Sequence, residues 1–153
     1  NSKTIPLSKF SFNQLKEEFD SLFPTRNIFY MVKIKGNFSY IRTRSVPAQQ
    51  RPYPPLVEVT ANQPEFEFKN VKGDIIGFYC PPYAQGINVT GLHLHFLTAD
   101  RKGGGHLLEF ELENGQIEIG NLLHYHLILP DHGDFLGGDF TLDRTDELED
   151  VEK

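Results

Sequence analysis

The run Gly91-Leu-His-Leu-His-Phe-Leu-Thr-Ala-Asp-Arg-Lys-Gly-Gly-Gly-His106 carries the strongest structural information in this 153-residue chain. Leu92 to Thr98 has the pattern of a strand. Side chains at i and i+2 of a strand share a face, so His93 and His95 project side by side, about 7 Å apart along the backbone. A turn at Asp100 to Gly105 folds the next strand back antiparallel and brings His106 opposite that pair. An HxH pair alone is a weak signal. A third histidine across a tight glycine-rich turn makes it a rigid three-imidazole site. Three histidines with an open fourth position are the arrangement of catalytic rather than structural zinc.

Outward from that hairpin the chain reads as strands with one helix. Ser11-Phe-Asn-Gln14 is a capping box with Ser11 as N-cap. Phe12, Leu15, Phe19 and Leu22 then recur at helical spacing, and Pro24 follows. Further strands are expected over 28–35, 38–43, 65–71, 74–80, 106–113, 116–119 and 122–129. Gly36-Asn37, Lys72-Gly73 and Asn114-Gly115 supply the breaks, and Asn114-Gly115 is the strongest two-residue hairpin signal of the three. The Pro- and Gln-rich stretch 46–56 is expected to be an ordered loop. The acidic tail from Asp143 either forms a short helix docked on the sheet or has no fixed structure. The expected fold class is therefore α+β: mainly antiparallel β, barrel-like or a closed sheet, with one N-terminal helix and a possible short C-terminal one. The length suits a single domain over 1–153.

Composition narrows the function classes. The chain has 21 Asp and Glu against 15 Lys and Arg, a net charge of −6. That balance argues against a nucleic-acid partner, which needs a basic face. No apolar run approaches the roughly 20 residues that span a bilayer, and the N-terminus lacks the apolar core of a signal peptide. Cys80 is the single cysteine and has no internal disulfide partner. A cytoplasmic setting is expected, with export left open. Thirteen Phe, six Tyr and no Trp suit an aromatic, β-leaning interior.

Other residues invite chemical readings. His124 and His126 form a second HxH, read as partly buried strand residues satisfied by neighbours, with a supporting role near the metal as the alternative. Arg42, Arg44 and Arg51 form a basic island, and Arg42 and Arg44 share a strand face. A guanidinium there can hold a substrate carboxylate by a bidentate contact. Glu147, Glu149, Asp150 and Glu152 read as a solvated run from which one member can fold back as an acid or base. Tyr83 and Thr60 are polar candidates without further support. Gly103-Gly104-Gly105 precedes a strand rather than a helix, so it serves a tight turn and not a phosphate.

The stretch from Gly77-Phe-Tyr-Cys-Pro-Pro-Tyr through His93-Leu-His-Phe-Leu to Gly-Gly-His106 resembles the acetolactate decarboxylases, as does the segment from Arg42-Thr-Arg-Ser to Leu56. The resemblance runs over nearly the whole chain. It implies a zinc enzyme that converts 2-acetolactate to acetoin and carbon dioxide through a metal-stabilised enediolate. It places the zinc ligands on His93, His95 and His106 and the active-site arginine on Arg44. A C-terminal glutamate falls on Glu152, with Glu149 as the alternative. A homodimer acting on a small 2-hydroxy-3-keto acid is implied, with no nucleic-acid or membrane partner. Family members carry a longer N-terminal part with a further active-site glutamate. Glu58 and Glu65 do not match its motif, and the chain is expected to be the metal-binding C-terminal portion of a longer enzyme, with loss of that part as the alternative.

Two other readings remain. Cupin-type oxygenases also carry HxH on strands, but their usual following glutamate is missing here, and Asp100 and Glu109 fit poorly. The second is a non-catalytic metal-binding or assembly fragment.

Overall fold

A computed structural model describes residues 2–54, 56–60, 63–139 and 141. The strands are β1 (Ser2–Ser11), β2 (Phe29–Arg44), β3 (Glu65–Cys80), β4 (Gly91–Thr98) and β5 (Gly104–Leu122). The helices are short: α1 (Phe12–Glu17), α2 (Phe19–Leu22), α3 (Leu56–Thr60) and α4 (Asp134–Gly137), with a 3-10 turn at Pro82–Ala84. None of them is long and apolar enough to cross a membrane.

All strand pairs are antiparallel, in the order β1-β5-β2-β3-β4, and β4 pairs back onto β5. The strands β5, β2, β3 and β4 thus close a ring, with β1 added to β5. The closed, mainly antiparallel sheet expected from the sequence is present. Inside lie Val32, Ile34, Phe38, Ile41, Ile75, Leu94, Phe96, Phe110, Leu112 and Ile117, all buried.

Bulges govern which side chains point inward. On β2, Tyr30, Val32 and Ile34 are buried, but beyond Ser39 the buried residues become Ile41 and Thr43. Phe38 faces Leu112 and Tyr40 faces Glu111, so Ser39 is one residue too many on its strand. On β5, Leu108 and Glu113 play the same role, and the buried set steps from Leu107 to Phe110 and Leu112, then to Ile117 and Ile119. Each extra residue flips the alternation. A strict period-2 reading loses phase at these points.

The two expected hairpin turns, Gly36-Asn37 and Asn114-Gly115, and the break expected at Lys72-Gly73 are corrected by the structure. β2, β3 and β5 run without interruption through Gly36, Gly73 and Gly115. Gly36 pairs with Gly73 on one side and with Gly115 on the other, so the three form one row across the sheet. A Cβ on Gly36 would lie 2.3 Å from the Asn114 carbonyl oxygen, and one on Gly73 would lie 2.5 Å from that of Leu97. The glycines permit a close approach of backbones, the role they take at the corners of small barrels. Beside them Asn37 Nδ2 donates to Asn114 Oδ1 at 2.8 Å. What reads as turn chemistry is a cross-strand pair.

The N-terminal helix is capped as expected. Gln14 N donates to Ser11 Oγ at 3.2 Å, and Ser11 N donates to Gln14 Oε1 at 2.9 Å. It is not continuous to Leu22, because Glu18, at φ −89° and ψ 11°, separates α1 from α2. Helical bonds still span the break, from Glu18 N to Gln14 O and from Leu22 N to Glu18 O. Leu15, Phe19 and Leu22 stay buried, with Phe19 stacked on Phe23 at 4.1 Å and packed on Tyr79 at 4.6 Å.

Two further expectations change. β1 was not expected as a strand; it pairs with β5 on one edge only, where Pro6 is tolerated because its missing N–H costs no ladder bond. The strand expected over 122–129 is absent: β5 ends at Leu122 and 123–130 has no regular structure. Its alternation promised a half-buried strand, but no described strand pairs with it. The loop reading of 46–56 holds over 46–54, and α3 begins at Leu56. The acidic tail from Asp143 lies outside the described residues.

Candidate metal centre

The inward turn of Leu94 and Phe96, both buried, sends His93 and His95 to the outer face of β4. Leu107 points inward on β5, so its neighbour His106 points outward. His95 and His106 are direct cross-strand partners. The hairpin inferred from the sequence therefore forms, but its turn is tighter than expected. Thr98 Oγ1 donates to Asp100 Oδ1 at 2.6 Å and accepts from Gly103 N at 3.0 Å. These bonds close the turn by Gly103 and leave Gly104 and Gly105 in the strand.

The three imidazoles converge. The His93 and His95 rings stack with centroids 5.1 Å apart, and His106 stands edge-on to them at 4.9 and 5.3 Å. One ring nitrogen from each lies within 4.8 Å of the other two, which among the described residues is a group that could hold a metal ion. The Nε2 atoms of His93 and His95 are 3.0 Å apart. Nitrogens on a tetrahedral ion with bonds of about 2.0–2.1 Å stand about 3.3 Å apart. Three imidazoles suit zinc among several divalent ions.

Electrostatics keeps His106 ready as a ligand. Its burial, the nearby Arg44 charge and the other two histidines hold its pKa down to about 4, against the ordinary 6.5. It therefore offers a free lone pair at neutral pH, as a metal ligand must. The sign for stability follows. As pH falls below about 6.5, the unfolded chain takes up a proton at this residue that the folded chain refuses until about pH 4. The metal-free protein is expected to lose stability across that window, and His106→Gln to flatten the slope; thermal melts between pH 7 and about 4 measure it.

Arg44 is the cross-strand partner of His106 on the other side of β5. Arg42 is committed elsewhere. It contacts Glu65 at 3.0 Å and Glu109 at 3.4 Å, and the Glu65 hydrogen bond is the main cause of its raised pKa. Arg51 lies over the Tyr53 ring, 5.7 Å from its centroid. His124 and His126 are corrected: both are exposed in 123–130 and neither is a strand residue. Tyr83 donates to the Asn27 carbonyl at 2.9 Å and lines an apolar groove of about 320 Å³ with Phe29, Ile87, Tyr125 and His124. Glu147, Glu149, Asp150 and Glu152 lie outside the described residues.

The sequence reading missed the border of the centre. Ile76 pairs with His95 and Phe78 with His93, and they are 48% and 54% exposed on the same face. Their alternation in 74–80 was visible, but the register that sets them beside the histidines was not.

A comparison with protein families matches residues 1–142 to the family described as Alpha-acetolactate decarboxylase. The chain belongs to the alpha-acetolactate decarboxylase family. An alpha-acetolactate decarboxylase from Brevibacillus brevis is 44% identical over 150 residues, covering 98% of this chain and 53% of that protein. Another from Methanosarcina mazei is 42% identical over 141 residues, covering 92% and 49%. The X-ray structure of alpha-acetolactate decarboxylase from Bacillus subtilis strain 168 superposes with a TM-score of 0.91 at 37% identity, over 98% of this chain and 65% of that one. The chain spans about half the length of the curated relatives it matches. A PPC protein from Pyrococcus horikoshii, at 13% identity and a TM-score of 0.54, shares the fold alone. Membership in the decarboxylase family takes the place of the cupin alternative.

Proposed function

We propose that this chain forms a single metal-holding domain of an enzyme that decarboxylates 2-acetolactate to acetoin and carbon dioxide. The observation that carries the reading is the convergence of His93, His95 and His106 on one outer face, with Arg44 paired to His106. A divalent ion held there, zinc by the family resemblance, supplies Lewis acidity toward the substrate oxygens. Arg44 binds the substrate carboxylate and orients it for departure. The bond from the carbinol carbon to the carboxylate breaks, and its electron pair spreads into the neighbouring ketone as carbon dioxide leaves. Positive charge placed in advance near that developing negative charge lowers the barrier. A proton delivered to the carbinol carbon then gives acetoin. A guanidinium is a poor proton donor, so we assign that step to Glu152, with Glu149 as the alternative. Ile76 and Phe78 supply an apolar border that strengthens these interactions.

The test pairs metal content with acetoin formation from racemic acetolactate in one sample. A single zinc ion per chain together with acetoin supports the whole proposal. Zinc without acetoin favours the second reading, a metal-holding part that needs further polypeptide for turnover. The chain's coverage of about half its relatives' length is the observation behind that second reading. A folded sample that takes up no zinc overturns both.

A further inference from the structure

β4 and β5 meet through the pairs His95–His106, Phe96–Gly105 and Leu97–Gly104. A Cβ on Gly104 would stand 2.3 Å from the Phe96 carbonyl oxygen. One on Gly105 would stand 2.6 Å from the Arg44 carbonyl oxygen and 3.2 Å from the Thr43 side chain, and Gly105 has a φ of +153°. The two obstacles are backbone atoms on opposite flanks, one on the strand that carries His95 and the other on the strand that carries Arg44. Side-chain rotation relieves neither. The start of β5 is thus wedged between β4 and β2 at a spacing that bare backbone permits and a methyl group does not.

We infer that Gly104 and Gly105 are positioning residues for the metal site, setting His106 against His95 on one flank and Arg44 on the other. The inference rests on the three histidines being the metal ligands. Tight glycine packing also occurs at Gly115 on the same strand, where a Cβ would lie 2.3 Å from the Lys35 carbonyl oxygen. Gly115 stands nine positions beyond His106 in sequence and pairs with Gly36 and Leu7, with no histidine opposite it. It is therefore a control with a comparable clash and a different place in the barrel.

The experiment titrates the metal-free parent chain, Gly104→Ala, Gly105→Ala and Gly115→Ala with Co²⁺. Visible absorption reports coordination geometry, and a thermal melt of each metal-free protein reports stability. Gly104→Ala and Gly105→Ala are expected to weaken Co²⁺ binding roughly ten- to a hundredfold, the range for groups that orient metal ligands, and to dim the four-coordinate band. Gly115→Ala is expected to lower the melting temperature and leave binding unchanged. Gly104 has no positive φ, so Gly104→Ala decides alone if Gly105→Ala does not fold. If neither folds, the pair is structural and the inference falls. It falls too if both variants bind as the parent does, or if binding drops equally in Gly115→Ala. A parent that binds no Co²⁺ overturns the metal-site reading along with it; a parent that binds, with unaffected variants, overturns this inference alone.

Discussion

His93→Ala is expected to abolish zinc uptake, and acetoin formation with it in the complete enzyme. Three imidazoles converge within 4.8 Å, and removing one leaves only two. The loss should exceed the roughly ten- to hundredfold that follows from disturbing an outer partner of a ligand. The fold should survive, because His93 projects from the outer face of β4 while its neighbour Leu94 fills the core. Metal analysis after dialysis, beside a thermal melt of the metal-free chain, checks both statements. Retained stoichiometric zinc in a folded variant would sink the assignment of the ligand.

The largest effect on stability is expected at Phe38. It is 1% exposed and meets Phe96 of β4 and Phe110 of β5 edge-on, with centroids 5.6 and 6.1 Å apart. Its ring ties three strands of the closed sheet together. Phe38→Ala removes that contact and leaves a cavity, at a cost of about 3–5 kcal/mol. Denaturant unfolding should show a lower midpoint with an unchanged slope, since the surface exposed on unfolding is nearly the same. A shift worth less than about 1 kcal/mol would mean that the barrel interior collapses around the gap.

Much of the candidate site was legible because its geometry is local. His93 and His95 share a face by strand periodicity alone, and His106 follows across a turn whose residues announce it. Arg44 came from the family resemblance; the structure adds its pairing with His106. The fold was less legible, and the misreadings share a cause. Gly36, Gly73 and Gly115 carry the chemistry of turns, yet here they solve a contact problem between strands far apart in sequence. Local rules distinguish a glycine that reverses the chain from one that lets another backbone near only once the partner is known. The bulges at Ser39, Leu108 and Glu113 hid the burial pattern in the same way, since an extra residue gains its meaning from the strand opposite. The segment 123–130 misled in the other direction, with a strand's alternation and no described strand beside it. Ser11 and Gln14 read correctly because a capping box closes within four residues.

The ring is joined at β4 and β5 by three residue pairs, far fewer than the register linking β2 to either neighbour. His95 and His106 are one of those pairs, so an ion held between them, as proposed, would also be a clasp on the shortest seam of the ring. On the proposed reading, catalysis and closure of the sheet depend on the same ion. Removing a bound metal is expected to loosen that seam first, with amide exchange at Phe96 and Gly105 quickening while β2 stays protected. On that reading, a chain short of the metal is expected to be idle and, at that edge, exposed to proteases.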